Sequence, residues 1–164
     1  MASTKKEFLI FGTAGNPPTK LGMIELINEL NISETKDYIF HIAGFGTNKI
    51  INTTSYKAKF IFHGEIKTQK LHEIYKSVAA VIINQKPSTG ALIKIPELLI
   101  AGIPVISNNH AARNYYNYHG VYVYRSFDEL HNLMNKIINN EPVFDYKLDV
   151  DIDSLKNILT YYLK

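Results

Sequence analysis

The 164-residue sequence contains no cysteine. That absence excludes disulfide bonds, thiolate zinc sites and a cysteine nucleophile, and it is compatible with a reducing cytosol. The sequence also lacks an apolar run of the ~20 residues that a membrane-spanning helix needs, and we see no signal peptide before the first strand. The net charge is only +3, and the lysines are scattered. We therefore expect no nucleic-acid partner.

Several familiar site patterns are missing as well. No Gly-Lys-Ser/Thr phosphate loop occurs, and no serine stands in a nucleophile-elbow context. The six histidines are dispersed, and no spacing resembles a metal site, so none is expected. His41 and His63 fall in strand patterns, where a structural imidazole is the favoured interpretation. Five tyrosines lie close together in sequence and could line a sugar site, but packing in the core or at its rim is the favoured interpretation. They are Tyr115, Tyr116, Tyr118, Tyr122 and Tyr124.

Continuous apolar runs that end in glycine-rich or polar turns alternate with helical patterns along the chain. Such runs are typical of strands covered on both faces, and strand–helix alternation indicates a parallel sheet. We predict an α/β fold: a Rossmann-like, doubly wound parallel sheet of about six strands with helices on both faces. The predicted strands are Glu7–Phe11, Asp37–Ala43, Lys59–His63, Val78–Asn84, Ile103–Ser107 and Gly120–Tyr124.

Helices are predicted between these strands. The first carries Leu21, Ile24, Ile27 and Leu30 at nearly helical period, and Thr68 is expected to cap the second. A short helix is expected over Ala111–Tyr118. Ser126 and Glu129 have the spacing of a capping box.

We treat residues 1–164 as one domain, with the first six residues as a leader or an expression-tag start. A last helix is expected over residues 152–163, beyond a break that contains Pro142.

The segment from Pro87 to Ile106 is the most informative. Pro96 is tolerated only in the first turn of a helix, and Gly102 followed by Pro104 ends one. A helix over Lys94–Ala101 is therefore predicted. Its N-terminus follows a small, flexible loop and would suit an anionic group such as phosphate. Lys94 and Glu97 lie on neighbouring parts of one helix face, where an ordinary exposed ion pair is the simpler interpretation.

Gly44-Phe45-Gly46 after the second strand invites a dinucleotide-binding interpretation. The third glycine of that fingerprint would fall at Lys49, and no acidic residue follows at the expected distance. A simple turn is favoured. A nicotinamide-dependent enzyme nevertheless stays open as a third hypothesis.

The segment Lys94–Ile106 (KIPELLIAGIPVI) resembles the K-x-x-E-x-x-A-x-G-x-P-V-I signature of retaining GT-B glycosyltransferases, in their C-terminal, nucleotide-sugar-binding domain. The resemblance extends in the same order over residues 7–140. Phe60–Ile66 (FIFHGEI) is similar to the family's F-x-G-x-V segment, and Leu71–Asn84 is similar to its L-x-x-x-Y-x-x-A-D-V segment. A Gly-Val pair before the last capped helix, Gly120-Val121, also fits.

The resemblance implies roles for individual residues. Glu97 matches the glutamate that accepts hydrogen bonds from both ribose hydroxyls, which suits an acceptor-only carboxylate. Lys20 and Lys94 lie near positions that stabilise the leaving diphosphate, and they are the candidate catalytic residues. Candidate donor-binding residues besides Glu97 are Gly12, Thr13, Gly64, Glu65, Ile66, Thr89, Gly90, Ala91 and Leu92.

Departures from the family pattern concern the same site. Many members have a glutamate that contacts the transferred sugar where this chain has Thr89. The family's phosphate-binding arginine corresponds to Thr13, and a usual glycine corresponds to Leu92. Lys20 is followed by Leu21-Gly22 rather than directly by glycine, so its alignment can slip by one residue. These changes bear on sugar positioning and on leaving-group stabilisation rather than on the fold.

The resemblance implies a retaining hexosyltransferase that uses a UDP- or GDP-sugar as substrate, with no cofactor and no metal. The expected partners are the nucleotide-sugar and an N-terminal acceptor-binding domain or partner chain. A cytoplasmic protein is expected, with membrane contact at the inner face only through that other half. A non-catalytic nucleotide-binding or partner-binding module of the same fold is the alternative.

Overall fold

A computed structural model describes residues 6–33, 35, 37–50 and 56–141. Six parallel strands form one sheet in the order β3-β2-β1-β4-β5-β6. The strands are β1 (Glu7–Phe11), β2 (Ile39–Ala43), β3 (Lys59–Gly64), β4 (Ala80–Ile83), β5 (Val105–Asn108) and β6 (Val121–Tyr124). The helices are α1 (Pro17–Ile32), α2 (Thr68–Ser77), α3 (Lys94–Ile100), α4 (Asn109–Ala112) and α5 (Phe127–Ile138). The predicted α/β class and six-stranded parallel sheet are confirmed.

Alternate residues of the strands point to opposite faces of the sheet, and both faces are buried. Phe8 and Ile10 of β1 face one core, which contains Leu26 of α1 and Leu130 of α5. Leu9 faces a second core, built with side chains of α2, α3 and α4. Helices therefore cover both faces, which explains why the strands are apolar without alternation.

Three helix predictions need correction. Leu21 is 54% exposed, because the buried face of α1 consists of Thr19, Gly22, Met23, Leu26, Ile27 and Leu30, which recur at three- and four-residue intervals. The cap position of α2 is Lys67, and no side chain caps this helix; Thr68 is its first residue.

The helix α4 begins at Asn109 rather than at Ala111 and ends at Ala112. The Asn108 side chain accepts a hydrogen bond from the backbone N–H of Ala111 at 3.0 Å, so it caps the helix and fixes its start. The backbone beyond Ala112 continues as turns. The predicted helix over residues 152–163, the break at Pro142 and residues 1–5 lie outside the described residues.

Other local predictions are confirmed. The Ser126 hydroxyl accepts from the Glu129 N–H at 3.2 Å, and the Glu129 carboxylate accepts from the Arg125 N–H at 2.7 Å. Strand ends shift by one or two residues: β5 begins at Val105 because the Ile103 N–H bonds back to Leu98 of α3. Lys6 already joins the sheet, since its carbonyl accepts from the Ile39 N–H.

Candidate functional site

The candidate site lies at the carboxyl edge of the sheet, between the loops that follow β1 and β4. These strands are neighbours, but β2 lies on the far side of β1 and β5 on the far side of β4. The chain therefore leaves the two strands in opposite directions and opens a crevice between their loops. Ligands of open α/β sheets bind at such a switch point.

Three glycines bring the ends of β1, β2 and β3 into close contact. The Gly44 N–H donates to the Gly64 carbonyl at 2.8 Å. A Cβ atom on Gly44 would lie only 1.8 Å from the Gly12 carbonyl oxygen, and the φ of Gly44 is +128°. Gly12 and Gly64, both candidate donor-binding residues, therefore lie at one edge of the sheet, on either side of Gly44.

Thr13 shapes the turn after β1. Its side chain is exposed, and its hydroxyl accepts a hydrogen bond from the Gly15 N–H at 3.3 Å. The Ala14 N–H donates to the Phe45 carbonyl at 2.8 Å, which ties this turn to the one after β2. Thr13 therefore presents a neutral hydroxyl at the crevice.

Lys20 and Glu65 share one cavity of about 340 Å³ beside these turns. Lys20 reaches it from the first turns of α1, and Glu65 from the residue after β3. Two candidate residues that are 45 positions apart in sequence are thus brought together. The remaining lining residues are Ala14, Gly15, Phe45, Gly46, Asn48 and Lys49.

The first turn of α3 carries Lys94 and Glu97. The Lys94 Nζ atom lies 2.8 Å from Glu97 Oε2, and the two side chains are 50% and 54% exposed. The predicted ion pair is therefore present. Lys94 Nζ also lies 5.3 Å from the centre of the Phe11 ring at the end of β1. This cation–π contact joins α3 to the carboxyl end of β1, where Phe11 is followed by Gly12.

Four side chains from four segments form an apolar floor beside α3, the helix that carries Glu97. Phe11, Ile66, Tyr75 and Leu92 are partly buried and pack against the same core cluster. The pKa of the Tyr75 hydroxyl is raised, by burial first and by the Glu97 charge second. Glu97 therefore acts electrostatically on α2, and the candidate residues Ile66 and Leu92 belong to this floor.

The loop over Thr89, Gly90 and Ala91 is exposed. Arg113, which follows α4, donates hydrogen bonds to the carbonyls of Thr89 and Gly90. No sequence pattern indicated this contact. The available signal was compositional: Arg113 is one of two arginines among eighteen basic residues, and arginine suits sites where several acceptors must be bonded at once.

A polar network joins the end of β4 to α1 and β6. The Asn84 amide donates to the Gly22 carbonyl at 2.9 Å and to Glu25 at 3.0 Å, and Asn84 accepts from the Tyr124 hydroxyl at 2.9 Å. Lys86 Nζ lies 2.6 Å from Glu25. Burial raises the pKa of Glu25, but hydrogen bonds from Lys86 and Asn84 outweigh it, so the net pKa is lowered.

His41 is the middle residue of β2, and His63 is the last residue of β3 before Gly64. His41 Nε2 is 2.9 Å from the Glu7 carboxylate, and His41 Nδ1 is 2.9 Å from His63 Nε2. Both imidazoles therefore have hydrogen-bond partners, as the structural interpretation predicts. Among the described residues, no group of three or more histidine, aspartate or glutamate side chains is arranged to hold a metal ion.

Comparison with solved structures identifies the architecture. The chain matches the crystal structure of TarM with a TM-score of 0.59 and 17% identity, over 84% of this chain and 29% of that one. The chain is thus similar in fold to one Rossmann-like domain of a GT-B glycosyltransferase. It also matches AviGT4, a glycosyltransferase involved in avilamycin A biosynthesis, with a TM-score of 0.56 and 15% identity, over 84% of this chain and 43% of that one.

These matches confirm the predicted resemblance at the level of the GT-B fold. The match covers less than half of either matched protein. No protein family matches the chain by sequence profile, and no curated protein matches it. Within the part of the chain that the structure describes, no helix is long and apolar enough to cross a membrane.

Proposed function

We propose that this chain is the donor-binding domain of a retaining glycosyltransferase that uses a UDP- or GDP-sugar. The observation that carries the proposal is the position of Glu97, presented by α3 beside the carboxyl edge of β1. Glu97 is the residue that matches the family's ribose-binding glutamate, and the chain is similar in fold to the GT-B Rossmann-like domain.

The chemistry of Glu97 suits a ribose. A carboxylate is an acceptor with about four lone-pair sites, so two ribose hydroxyls can donate to it while Lys94 holds one oxygen. Lys94 bonds Oε2, which leaves Oε1 open to a ligand. The apolar floor formed by Phe11, Ile66, Tyr75 and Leu92 would support the flat, uncharged part of the nucleotide.

The charges near Glu97 suit a diphosphate. Lys94 and Lys20 supply ammonium groups, and the loop after β4 supplies backbone N–H groups over Gly90–Leu92. In our proposal these groups stabilise negative charge on the departing diphosphate, so the mechanism is mainly electrostatic and needs no metal. Gly64 and Glu65 would lie along the base together with Ile66 of the apolar floor, and Gly12 would lie at the neighbouring end of β1.

A second domain or partner chain would hold the acceptor. The match covers only 29% and 43% of the matched proteins, and the acceptor must lie against the face of the sugar that reacts. We therefore propose that residues 1–164 constitute one half of a hexosyltransferase that makes a polysaccharide or glycoconjugate in the cytoplasm. Any membrane contact would belong to the other half.

Thr89 favours a second candidate function, a non-catalytic nucleotide-binding module. The side chain is exposed and uncharged at the position where many family members have a glutamate that contacts the sugar. Thr13 is likewise neutral where the family has an arginine. A domain with these two changes would keep the nucleotide site and lose groups that act on the transferred sugar.

The test is a thermal-shift series of the chain with UDP, GDP, representative UDP- and GDP-sugars, and NAD. A ligand at 100 times its dissociation constant stabilises the fold by about 2.7 kcal/mol. We expect UDP or GDP and its sugar to raise the melting temperature. A shift with NAD alone would overturn the proposal in favour of a nicotinamide enzyme. Release of UDP or GDP by the chain together with its second half separates the catalytic function from the module.

A further inference from the structure

Arg113 holds the loop after β4 through four oxygen atoms. Its Nη1 donates to Gln85 Oε1 at 3.1 Å and to the His110 carbonyl at 2.5 Å. Its Nη2 donates to the Thr89 carbonyl at 2.8 Å and also to the Gly90 carbonyl. The planar guanidinium thus joins three parts of the chain. Gln85 at the end of β4 is 28 residues away in sequence and Gly90 in the loop is 23 residues away, whereas His110 of α4 is only three residues away.

One of these partners, Gln85, is firmly placed, whereas the loop is not. Gln85 is only 2% exposed, and its backbone exchanges two hydrogen bonds with the Asn108 side chain. In contrast, Thr89 and Gly90 are exposed, and nothing lies within 4 Å of the place where a Cβ on Gly90 would be. Gly90 also has a φ of +79°. Packing therefore does little to fix this loop, and Arg113 supplies the constraint.

The direction of the loop's amides follows from these bonds. In a trans peptide the C=O and the next N–H point in opposite directions. Because the Thr89 and Gly90 carbonyls point at Arg113, the N–H groups of Gly90 and Ala91 point away from it. Neither N–H donates to any other group among the described residues. Two adjacent donors therefore remain available to an anion outside the loop.

The four acceptors of Arg113 are all uncharged oxygens. No carboxylate of the described residues is paired with its guanidinium. The positive charge is accordingly not cancelled locally, and it adds to the field that an anion at the two free N–H groups would experience. The orientation of the two N–H groups and the charge of Arg113 therefore both favour an anion at this loop.

We propose that Arg113 is a positioning residue that orients Thr89–Leu92 so that the Gly90 and Ala91 N–H groups meet the diphosphate of the donor. The inference deepens the donor-binding role proposed above and rests on it. Arg113 does not itself touch the reacting atoms. It acts through the loop. A lysine could not replace it, because an ammonium group has three N–H donors, whereas the planar guanidinium has five and bonds four oxygens here.

The test compares Arg113→Lys and Arg113→Gln with the wild-type chain, and Arg125→Gln serves as control. Arg125 is the other arginine, exposed after β6. Backbone ¹⁵N order parameters of residues 89–92 are measured without ligand, and dissociation constants are measured for UDP, GDP and the matching nucleosides. A thermal melt verifies that each variant is folded.

We expect order parameters of the loop to fall below about 0.6 in both Arg113 variants. Diphosphate affinity should fall about tenfold, the size of a lost charge-assisted contact, while nucleoside affinity stays within about twofold. Wild-type affinity and loop order in Arg113→Lys would overturn the proposal, since charge alone would then suffice. An equal loss for nucleosides would also overturn it. If the wild-type chain binds neither UDP nor GDP, the donor-binding function itself fails, and the ligand-free order parameters still decide whether Arg113 holds the loop.

Discussion

Lys94 and Glu97 form an ion pair at 2.8 Å on the first turn of α3. An almost identical pair exists on α2, where Lys70 lies 3.0 Å from Glu73 at the same three-residue spacing and with similar exposure. Exposed pairs of this kind contribute at most about 1 kcal/mol to stability. The two pairs differ in location, since only Lys94–Glu97 lies against Phe11 at the carboxyl edge of the sheet.

The twin ion pairs provide a matched test of Glu97. Glu97→Gln should weaken UDP or GDP binding about tenfold or more, because charge-assisted hydrogen bonds from the ribose are lost. Glu73→Gln removes the same charge from the same kind of pair and should leave the affinity unchanged. Isothermal titration calorimetry measures both. Equal effects of the two substitutions would mean that Glu97 is no ribose ligand.

Lys20 offers a test of the diphosphate role. Lys20→Ala should weaken diphosphate binding about tenfold while nucleoside binding is preserved, since only the phosphates carry charge. Lys59→Ala is the control, because Lys59 begins β3 at the opposite, amino edge of the sheet. The difference between the variants should shrink in high salt. A loss in Lys59→Ala of the same size would indicate a general charge effect instead.

Gly44 tests the close contact of strand ends. Gly44→Ala would place a Cβ atom 1.8 Å from the Gly12 carbonyl oxygen, at a φ of +128°. Gly102→Ala also has a positive φ, +73°, but meets nothing within 4 Å. We expect Gly102→Ala to lower the free energy of unfolding by about 1 to 2 kcal/mol. Gly44→Ala should cost at least about 2 kcal/mol more because of the clash. Urea unfolding of the two variants measures the difference, and equal costs would contradict the geometry.

The lowered pKa of His63 leads to a predicted pH dependence of the free energy of unfolding. Its pKa is lowered by burial first, then by the neighbouring charges of His41 and Lys70; Glu7, on the far side of His41, is the acidic group of this cluster. The unfolded state thus binds more protons than the folded state below about pH 6.5, so stability falls as pH falls through that range.

The free energy of unfolding of His63→Gln should decrease less than that of the wild type between about pH 7 and about pH 5. His72→Gln, an exposed change on α2, should keep the wild-type slope. Denaturant titrations at a series of pH values measure these slopes. An unchanged slope in His63→Gln would show that protonation of His63 is not coupled to folding.

Much of the fold could be predicted because its signals are local. Pro96, Gly102 and Pro104 fix the ends of α3 within one short segment, and their effects on the backbone need no tertiary context. The continuous apolar strands follow from burial on both faces. Strand–helix alternation with right-handed crossovers then restricts the sheet to a few topologies.

The parts that could not be predicted depend on contacts between distant residues. Arg113 bonds a loop 23 residues away, and Tyr124 bonds Asn84 over 40 residues. Neither pair has a spacing that a single sequence could indicate. The predicted start of α4 was wrong because the Asn108 side chain accepts a hydrogen bond from the Ala111 N–H, so the helix begins at Asn109. The placement of Leu21 on the buried face of α1 was wrong. This residue has nearly helical spacing to buried residues, yet its side chain is exposed to solvent.

The most direct measurement of the central claim is a two-dimensional ¹⁵N–¹H NMR titration of the chain with UDP and with GDP. The account predicts that one of them shifts the backbone amides of residues 12–13, 64–66, 89–92 and 97 in a saturable manner. The amides at the amino edge of the sheet, around Lys59 and Val105, should not move. Saturable shifts confined to other surfaces, or none with either nucleotide, would contradict the account.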